Sequence, residues 1–442
     1  MGTLFGTDGV RGVFGVDLTT QLAFDLGRAA VVVLRRYEAG DPVIVIGRDT
    51  RASGDPLEQA LADGILSAGA SVIVAGVEPT PAIAFLTPEL GASAGAVISA
   101  SHNPADDNGI KFFGPLGFKL TDELEDEIER EVAEPSRLGV PRGTVREAGD
   151  AAERYLKHVE ASAEASLAGM RVVVDCANGA AFRSAPDVLR RLGAEVTPLF
   201  VEPDGTNINA GCGALHPEVV ARAVVEQGAD AGVAHDGDAD RALFADAHGN
   251  VIDGDHVLAV CAIDLRSQGR LPNDTIVTTV MANLGLHEAM EREGIAVVQT
   301  QVGDRYVLEE MLSTGAELGG EQSGHIIFRS QATTGDGLIT AVRFLSLAAK
   351  RGVDVTELAS AMRRFPQVLV NVPVSRRDAL DDATAIWGAV RAAETELGGG
   401  GRVLVRASGT EPLVRVMVEA ETEERAQRHA DAIAACVRQA LG

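Results

Sequence analysis

The 442-residue sequence is poor in aromatic residues, in cysteine and in positive charge. One tryptophan, three tyrosines and 13 phenylalanines leave the hydrophobic cores to be built mainly from valine, leucine, isoleucine and alanine. Lysine and arginine number 39 against 64 aspartates and glutamates, and the resulting net charge of −25 repels nucleic acid and anionic membranes. No apolar run approaches the roughly 20 residues that span a bilayer. We therefore expect neither a nucleic-acid partner nor a membrane partner.

The cysteine pattern and the first residues indicate the compartment. Cys176, Cys212, Cys261 and Cys436 lie far apart, without Cys-x-x-Cys spacing, which is typical of reduced core thiols rather than of a disulfide or zinc framework. The opening MGTLFGTDGVRG has no basic segment followed by an apolar stretch, as a secretory signal would. These features predict a cytoplasmic protein.

Strand and helix patterns alternate along the chain in three similar sets. Segments rich in valine and isoleucine, bounded by glycine, aspartate or asparagine, are separated by helical patterns, which is typical of βαβ units. In each set the third strand is followed by the most polar loop. From residue 365 the pattern changes to a strand, a helix over 377–397, two strands and a helix over 421–441. We predict four domains, at residues 1–150, 151–254, 255–365 and 366–442.

The first polar loop lies in ISASHNPADDNGIKFF, residues 98–113. Ser101 follows a strand and is accompanied by His102 and Lys111, which are suitable groups to activate a serine nucleophile. The alternative is a turn in which serine, asparagine and proline merely end the strand, and it is favoured for a generic Ser-x-Asn-Pro.

The second polar loop is HDGDADR, residues 235–241. Asp236, Asp238 and Asp240 alternate with small residues, and three carboxylates this close together require a cation such as Mg²⁺. An EF-hand would need glycine and glutamate where Arg241 and Ala247 stand, which excludes a calcium loop of that type. A solvated acidic turn remains the alternative.

The third polar loop, GGEQSGH at residues 319–325, offers hydrogen-bonding groups suited to sugar hydroxyls from Glu321, Ser323 and His325, which alternate onto one side. A glycine-rich turn with incidental polar groups has comparable weight for this loop alone.

The fourth, RASGTEPLVR at residues 406–415, resembles an anion site, because arginine forks and backbone amides suit phosphate. Its candidate ligands are Arg406, Ser408, Gly409, Thr410 and Arg415. A plain β-turn explains the centre of this loop but leaves the two flanking arginines without a role.

Together the four loops predict phosphoryl transfer on a phosphorylated sugar, a reaction that depends on positioning and on positive charge around the transferred group. In this acidic chain the basic residues in or beside the motifs are Arg11, Arg48, Lys111, Lys119, Arg241, Arg406 and Arg415. A Gly-Lys dipeptide and a complete G-x-G-x-x-G after a strand are both missing, which excludes Walker A and dinucleotide sites. A non-catalytic sugar-phosphate sensor and a phosphatase with an aspartate nucleophile are the other classes to consider.

The motifs resemble those of the α-D-phosphohexomutase superfamily over nearly the whole length. The resemblance rests on the four loops in order and on FGTDGVRG, VGDRYV, TTGDG and RASGTEPLVRVMVE. It implies three similar α/β domains with mixed sheets around a central cleft, plus a small C-terminal α+β domain similar to the TATA-box-binding-protein fold. The EQSGH form of the third loop is similar to a bacterial branch that interconverts glucosamine 6-phosphate and glucosamine 1-phosphate for UDP-N-acetylglucosamine and peptidoglycan synthesis. A mutase of glucose or mannose phosphates is the alternative.

The resemblance also implies roles for individual residues. Ser101 would be phosphorylated and would share one Mg²⁺ with Asp236, Asp238 and Asp240. The other catalytic candidates are Lys111, Arg11 and His102. Substrate binding would fall to Arg241, Glu321, Ser323 and His325. The phosphate that does not react would be held by Arg406, Ser408, Gly409, Thr410 and Arg415. A sugar 1,6-bisphosphate activator and a homodimer are further expectations.

Overall fold

The computed structural model describes residues 4–6, 8–37, 40–137, 143–408 and 412–442. The chain forms two compact units, one of residues 1–281 and 295–361 and the other of residues 282–294 and 362–442. Among the described helices, none combines the length and apolar character needed to cross a membrane. Cys176, Cys212 and Cys261 are buried free thiols and Cys436 is a half-buried one, which confirms the prediction of unpaired cysteines.

The first sheet of the first unit contains six strands, and its central strands are buried because valine and isoleucine occupy both faces. The strands are β1 (Val10–Val13), β2 (Val43–Arg48), β3 (Ser71–Val77), β4 (Ala94–Ile98), β5 (Asp107–Phe113) and β6 (Val145–Glu147). Their spatial order is β1-β5-β4-β2-β3-β6. The accompanying helices are α1 (Thr20–Leu34), α2 (Gly54–Ser67), α3 (Thr80–Glu89), α4 (Asp122–Ala133) and α5 (Ala151–Glu160).

The second sheet repeats this plan with five strands. They are β7 (Arg171–Asp175), β8 (Glu195–Leu199), β9 (Ala231–His235), β10 (Ala242–Asp246) and β11 (Val251–Ile252), in the order β11-β10-β9-β7-β8. Pro198 lacks a backbone donor and accordingly lies in the edge strand β8. The helices are α6 (Ser184–Arg191) and α7 (Pro217–Gln227).

The third sheet has four strands, β12 (Thr275–Thr279), β13 (Ala296–Thr300), β14 (Leu318–Gly320) and β15 (Ile326–Phe328), in the order β13-β12-β14-β15. Between β11 and β12 lies α8 (Gly254–Ser267), and after β12 the chain enters α9 (Leu284–Arg292), which belongs to the second unit. The remaining helices of the first unit are α10 (Asp304–Thr314), α11 (Gly337–Arg351) and α12 (Val355–Ala359). Aspartate caps fix two helix starts, since Asp253 accepts from the amide of His256 and Asp336 from that of Ile339.

Each of the three sheets ends its parallel part with an antiparallel hairpin, β4-β5, β9-β10 or β14-β15. The loop of each hairpin is one of the polar loops identified in the sequence, at residues 99–106, 236–241 and 321–325. The structure therefore confirms the three mixed α/β sheets and places a candidate loop after the predicted strand of each set.

The second unit is a small antiparallel sheet packed with helices, as predicted. Its strands β16 (Gln367–Pro373), β17 (Gly401–Ala407) and β18 (Leu413–Ala420) have the order β16-β18-β17, and its long helices are α13 (Thr384–Leu397) and α14 (Glu423–Leu441). The predicted helix start at residue 377 is wrong, because residues 377–379 form a single 3₁₀ turn in which Arg377 donates to the carbonyl of Ser408 at 2.9 Å. The four domain boundaries stay predictions.

Candidate active site

Ser101 lies three residues after β4, and its side chain is directed at the aspartate loop. Its Oγ donates to Oδ2 of Asp236 at 2.7 Å and lies 3.2 Å from Nδ1 of His102. The residue is 1% exposed and has φ of +51°, a left-handed conformation that is rare outside glycine and concentrated at functional sites. The two predicted loops therefore meet at the serine hydroxyl.

This close approach depends on a glycine in the aspartate loop. A Cβ on Gly237 would lie 2.6 Å from the carbonyl oxygen of Ser101. Only a residue without a side chain allows the loops to pack at this distance.

The aspartate loop places three buried carboxylates around one point. One oxygen from each of Asp236, Asp238 and Asp240 lies within 4.8 Å of the others. The Oδ1 atoms of Asp238 and Asp240 are buried without a hydrogen-bond partner in the described part of the chain. Burial and the two neighbouring carboxylates raise the pKa of Asp236 well above its ordinary value. Unsatisfied hard oxygen donors in this number fit a divalent metal ion, and the cluster can bind one.

Lys111 brings a buried positive charge to the same cluster. Its Nζ lies 3.0 Å from Oδ2 of Asp238 and 3.0 Å from Oδ2 of Asp8, and it is 2% exposed. Burial alone would lower the pKa of Lys111, but these two carboxylates raise it. The lysine therefore keeps its proton at neutral pH, so it provides charge rather than a base.

Asp8 links three of the basic residues predicted at the motifs. It pairs with Arg11, Lys111 and Lys119, and Lys119 continues the network to Asp304. Although burial opposes it, the three basic groups hold the pKa of Asp8 well below its ordinary value. Asp8 was not predicted as a site residue, although it stands inside the quoted FGTDGVRG motif.

His102 is neutral at physiological pH. Burial, together with Arg241 and Arg11, lowers its pKa to about 4. A neutral ring beside Ser101 can accept a proton or a hydrogen bond, but it adds no positive charge.

A second group of residues, which the sequence analysis did not identify, hydrogen-bonds the backbone of the serine loop. Arg51 donates to the carbonyls of Ser101 at 3.0 Å and of Asn103 at 2.8 Å, and it pairs with Asp49 at 2.9 Å. Asp49 in turn accepts from Oγ of Ser99 at 2.6 Å. Their position in the sequence could have identified them, because Asp49 and Arg51 follow β2 at the same sheet edge at which Ser101 follows β4.

The third loop contacts the aspartate loop through His325. Its Nδ1 lies 3.4 Å from Oδ2 of Asp240, and its Nε2 accepts from the amide of Gly335 at 3.0 Å. Both ring nitrogens therefore have protein partners. Glu321 and Ser323 are half-buried instead, and the Ser323 hydroxyl donates to Oε2 of Glu321 at 3.4 Å.

Arg241 joins the second and third loops. Its Nε lies 3.9 Å from Oδ2 of Asp236 and 3.8 Å from Oδ1 of Asp240. Although burial opposes it, Asp236, Asp240 and Glu321 raise the pKa of Arg241. The structure thus brings together Ser101, His102, Lys111, Arg11, the three aspartates, Arg241, Glu321, Ser323 and His325 in the first unit.

The fourth loop lies in the second unit. Arg406 on β17 faces Arg415 on β18 directly across the antiparallel pair. Burial and the charge of Arg415 lower the pKa of Arg406. Like charges opposite each other destabilise a sheet, and a bound anion would relieve this repulsion. Ser408 is buried, whereas Gly409 and Thr410 lie outside the described residues.

Four family models match the chain in succession. They are described as phosphoglucomutase/phosphomannomutase alpha/beta/alpha domain I (residues 2–138), domain II (153–249), domain III (253–365) and C-terminal domain (369–435).

Curated relatives match over almost their whole length. A phosphoglucosamine mutase of Desulforudis audaxviator is 56% identical over 428 residues, covering 96% of this chain and 95% of the relative. A phosphoglucosamine mutase of Symbiobacterium thermophilum is 54% identical over 447 residues, covering 100% of both chains.

Solved structures share the fold. A phosphoglucomutase/phosphomannomutase family protein of Burkholderia thailandensis has a TM-score of 0.83 at 26% identity, covering 100% of this chain and 98% of that one. An N-acetylphosphoglucosamine mutase of Aspergillus fumigatus, solved with GlcNAc-6P and magnesium, has a TM-score of 0.71 at 19% identity, covering 99% and 96%.

Proposed function

The chain belongs to the phosphoglucomutase/phosphomannomutase family, and we propose that it catalyses the phosphoglucosamine mutase reaction, which interconverts glucosamine 6-phosphate and glucosamine 1-phosphate. The observation that carries the reaction type is the 2.7 Å hydrogen bond from Ser101 Oγ to Asp236, beside the charged Lys111. The amino-sugar substrate is supported by the curated relatives, which carry that name at 50–56% identity.

Ser101 carries the phosphoryl group in this proposal. The bond between phosphorus and Ser101 Oγ breaks as a bond forms to O1 of glucosamine 6-phosphate, which gives a 1,6-bisphosphate. After the bisphosphate reorients, its O6 phosphoryl group returns to Ser101 and glucosamine 1-phosphate is released. Lys111 and Arg11 offset the negative charge of the transferring group, and His102 offers a neutral ring nitrogen beside the serine for hydrogen bonding or proton transfer.

The proposed metal is one Mg²⁺, held by Asp236, Asp238 and Asp240 and by an oxygen of the phosphorylated Ser101. When bound, it would neutralise charge on the phosphoryl oxygens. The two orphaned Oδ1 atoms support this assignment. The proposal also includes a sugar 1,6-bisphosphate that phosphorylates Ser101 and a homodimeric state. It places the enzyme in the cytoplasm, where it would supply precursors of UDP-N-acetylglucosamine and peptidoglycan.

The sugar is assigned to the third loop and to Arg241. Glu321 and Ser323 are half-buried and therefore accessible to a ligand, and a carboxylate favours the ammonium of glucosamine over a hydroxyl. His325 is assigned to positioning of the loop as well as to substrate binding, because both of its nitrogens already have partners.

We expect turnover to be selective for the amino sugar. With Mg²⁺ and a trace of sugar bisphosphate, kcat/KM for glucosamine 6-phosphate should exceed that for glucose 6-phosphate and mannose 6-phosphate by about 10²-fold or more. Glu321→Gln should reduce this preference. Equal or better turnover of a hexose phosphate would assign the chain to the hexose branch, and turnover of none would favour a sensor.

The anion loop of Arg406, Ser408, Gly409, Thr410 and Arg415 is proposed to bind the phosphate that does not react. Arg415→Ala should raise KM for the sugar phosphate about 10- to 100-fold, since hydrogen bonds to charged groups contribute roughly 1.5–3 kcal/mol. The amount of phosphate on Ser101 should change little. Arg391→Ala, which removes an exposed arginine of α13, is the control and should leave KM unchanged. A normal KM with lost serine phosphate would contradict the assignment.

A further inference from the structure

A second cavity, separate from the site around Ser101, lies in the first unit beside α5 and α6. It has a volume of about 670 Å³. Ligand pockets usually measure about 300–1,000 Å³. Leu156, Phe182, Pro186 and Val201 supply apolar wall, and no residue of the four polar loops lines it. We call it the α5/α6 cavity.

Two buried polar side chains line this cavity without a hydrogen-bond partner among the described residues. Ser184 is 6% exposed, and its Oγ is buried with no hydrogen bond in the described part of the chain. Glu78 is 7% exposed, and its carboxyl group has no hydrogen-bond partner among the described residues. Burial raises the pKa of Glu78 to about 7, so the group can donate or accept at neutral pH. The unpaired Ser184 hydroxyl would gain a hydrogen bond from a bound ligand.

The cavity also holds two arginines that form no salt bridge within the described part of the chain, although the charge of Arg183 partly offsets the rise that burial causes in the pKa of Glu78. Arg183 stacks over the ring of Phe182 at 4.8 Å, and the guanidinium of Arg190 lies 3.5 Å from the carbonyl of Val196. Among the described residues neither forms an ion pair with a carboxylate, whereas the third arginine, Arg191, pairs with Glu153 and Asp187. Glu153 and Asp187 in the lining are thus paired with Arg191, which leaves the guanidinium groups of Arg183 and Arg190 available to an anion.

We propose that the α5/α6 cavity binds a ring-bearing phosphate monoester. Two guanidinium groups match the charge of a phosphate monoester, which is close to −2 at neutral pH. The apolar wall accommodates the ring. Glu78 and Ser184 then hydrogen-bond the amino or hydroxyl groups that the ring carries. This site goes beyond the proposed mutase reaction, because none of these residues has a role there.

The cavity walls are hydrogen-bonded to the aspartate loop. Two residues after Glu78, Thr80 donates through Oγ1 to Oδ2 of Asp238 at 2.6 Å. On the opposite wall, the amide of Ala180 donates to the carbonyl of Gly237 at 2.7 Å. A ligand in the cavity therefore contacts both segments that support the metal-binding carboxylates, so we expect it to change their metal affinity.

Adenosine 5′-monophosphate is a suitable probe, since it combines a ring bearing an amino group with a phosphate monoester. Isothermal titration should show saturable binding to the full chain, which adenosine and inorganic phosphate alone do not reproduce. Arg183→Met should weaken binding at least tenfold, and Ala152→Trp should abolish it by filling the exposed mouth of the cavity. Arg222→Met, a change at an exposed arginine of α7, should have no effect.

The same titrations decide the proposal. Binding that persists unchanged in Arg183→Met and Ala152→Trp would overturn it, as would no saturable binding. A Mg²⁺ affinity that is the same with and without the nucleotide would overturn the link to the aspartate loop. Circular dichroism of each variant confirms that a loss of binding is not a loss of fold.

Discussion

Ser101→Ala is expected to lower kcat about 10⁴-fold or more while leaving sugar-phosphate affinity nearly unchanged. The variant loses the oxygen that carries the phosphoryl group, and removal of an enzyme's nucleophile has effects of this order or larger. The hydroxyl donates to Asp236 in a buried setting, so its loss also removes one hydrogen bond from the aspartate cluster. Steady-state kinetics and transfer of labelled phosphate from a sugar bisphosphate measure the two effects separately.

Ser93→Ala is the matched control for this prediction. Ser93 lies just before β4, at the opposite end of that strand from the serine loop, and accepts from the amide of Val43 at 3.3 Å. This variant should accept labelled phosphate and show the same kcat as the unchanged protein. Substantial turnover by Ser101→Ala, or label that remains on that variant, would rule out the covalent route.

The positions of three candidate loops were predictable because they follow from strand chemistry. Strands rich in valine and isoleucine on both faces must lie inside a covered sheet, so the polar residues that follow them are at the sheet edge. Ser101 after β4, Asp236 after β9 and Glu321 after β14 each follow a strand that is buried along its whole length, although β14 itself contains no valine or isoleucine. The three loops share one position in three similar sheets, which is why the sequence repeat identified them.

The contacts that hold these loops were not predictable from spacing. Arg51 reaches the carbonyl of Ser101 from 50 residues away in sequence, and Lys119 pairs with Asp304 across 185 residues. Such pairs depend on how separate elements pack, and no periodicity within one segment contains that information. Asp8 shows the same limit, since its motif and its three basic partners were identified but the ion pairs between them were not.

The expected orientation of His325 relied on the alternation of side chains in a strand, although its segment does not form a strand. Alternation placed it on one side with Glu321 and Ser323, as in an extended chain. Residues 321–325 form the turn between β14 and β15 instead, and Gly324 has φ of +92°. The turn directs the ring of His325 toward Asp240 and Gly335, where it is 2% exposed, while the other two side chains stay half-buried.

Asp238→Asn is expected to remove most of the magnesium affinity. Loss of a residue that only supports a metal ligand costs about 10- to 100-fold, so we expect loss of a direct ligand to cost more than about 100-fold. Asparagine keeps the shape of the side chain and its oxygen toward Lys111 and Thr80, which at present bond Oδ2 of Asp238. Turnover at low Mg²⁺ should fall accordingly, and full activity without added metal would contradict the proposal.

Thermal unfolding provides a measurement that does not depend on turnover. Three buried carboxylates within 4.8 Å repel one another, and burial with this repulsion raises the pKa of Asp236. A cation that binds only the folded state should therefore raise Tm, by an amount corresponding to about 2.7 kcal/mol at 100 times its dissociation constant. Mg²⁺ should stabilise the unchanged protein and Asp230→Asn, a change in an exposed ion pair with Arg171, to the same extent. Asp238→Asn should lose the shift, and an equal shift in all three proteins would place the ion outside the aspartate loop.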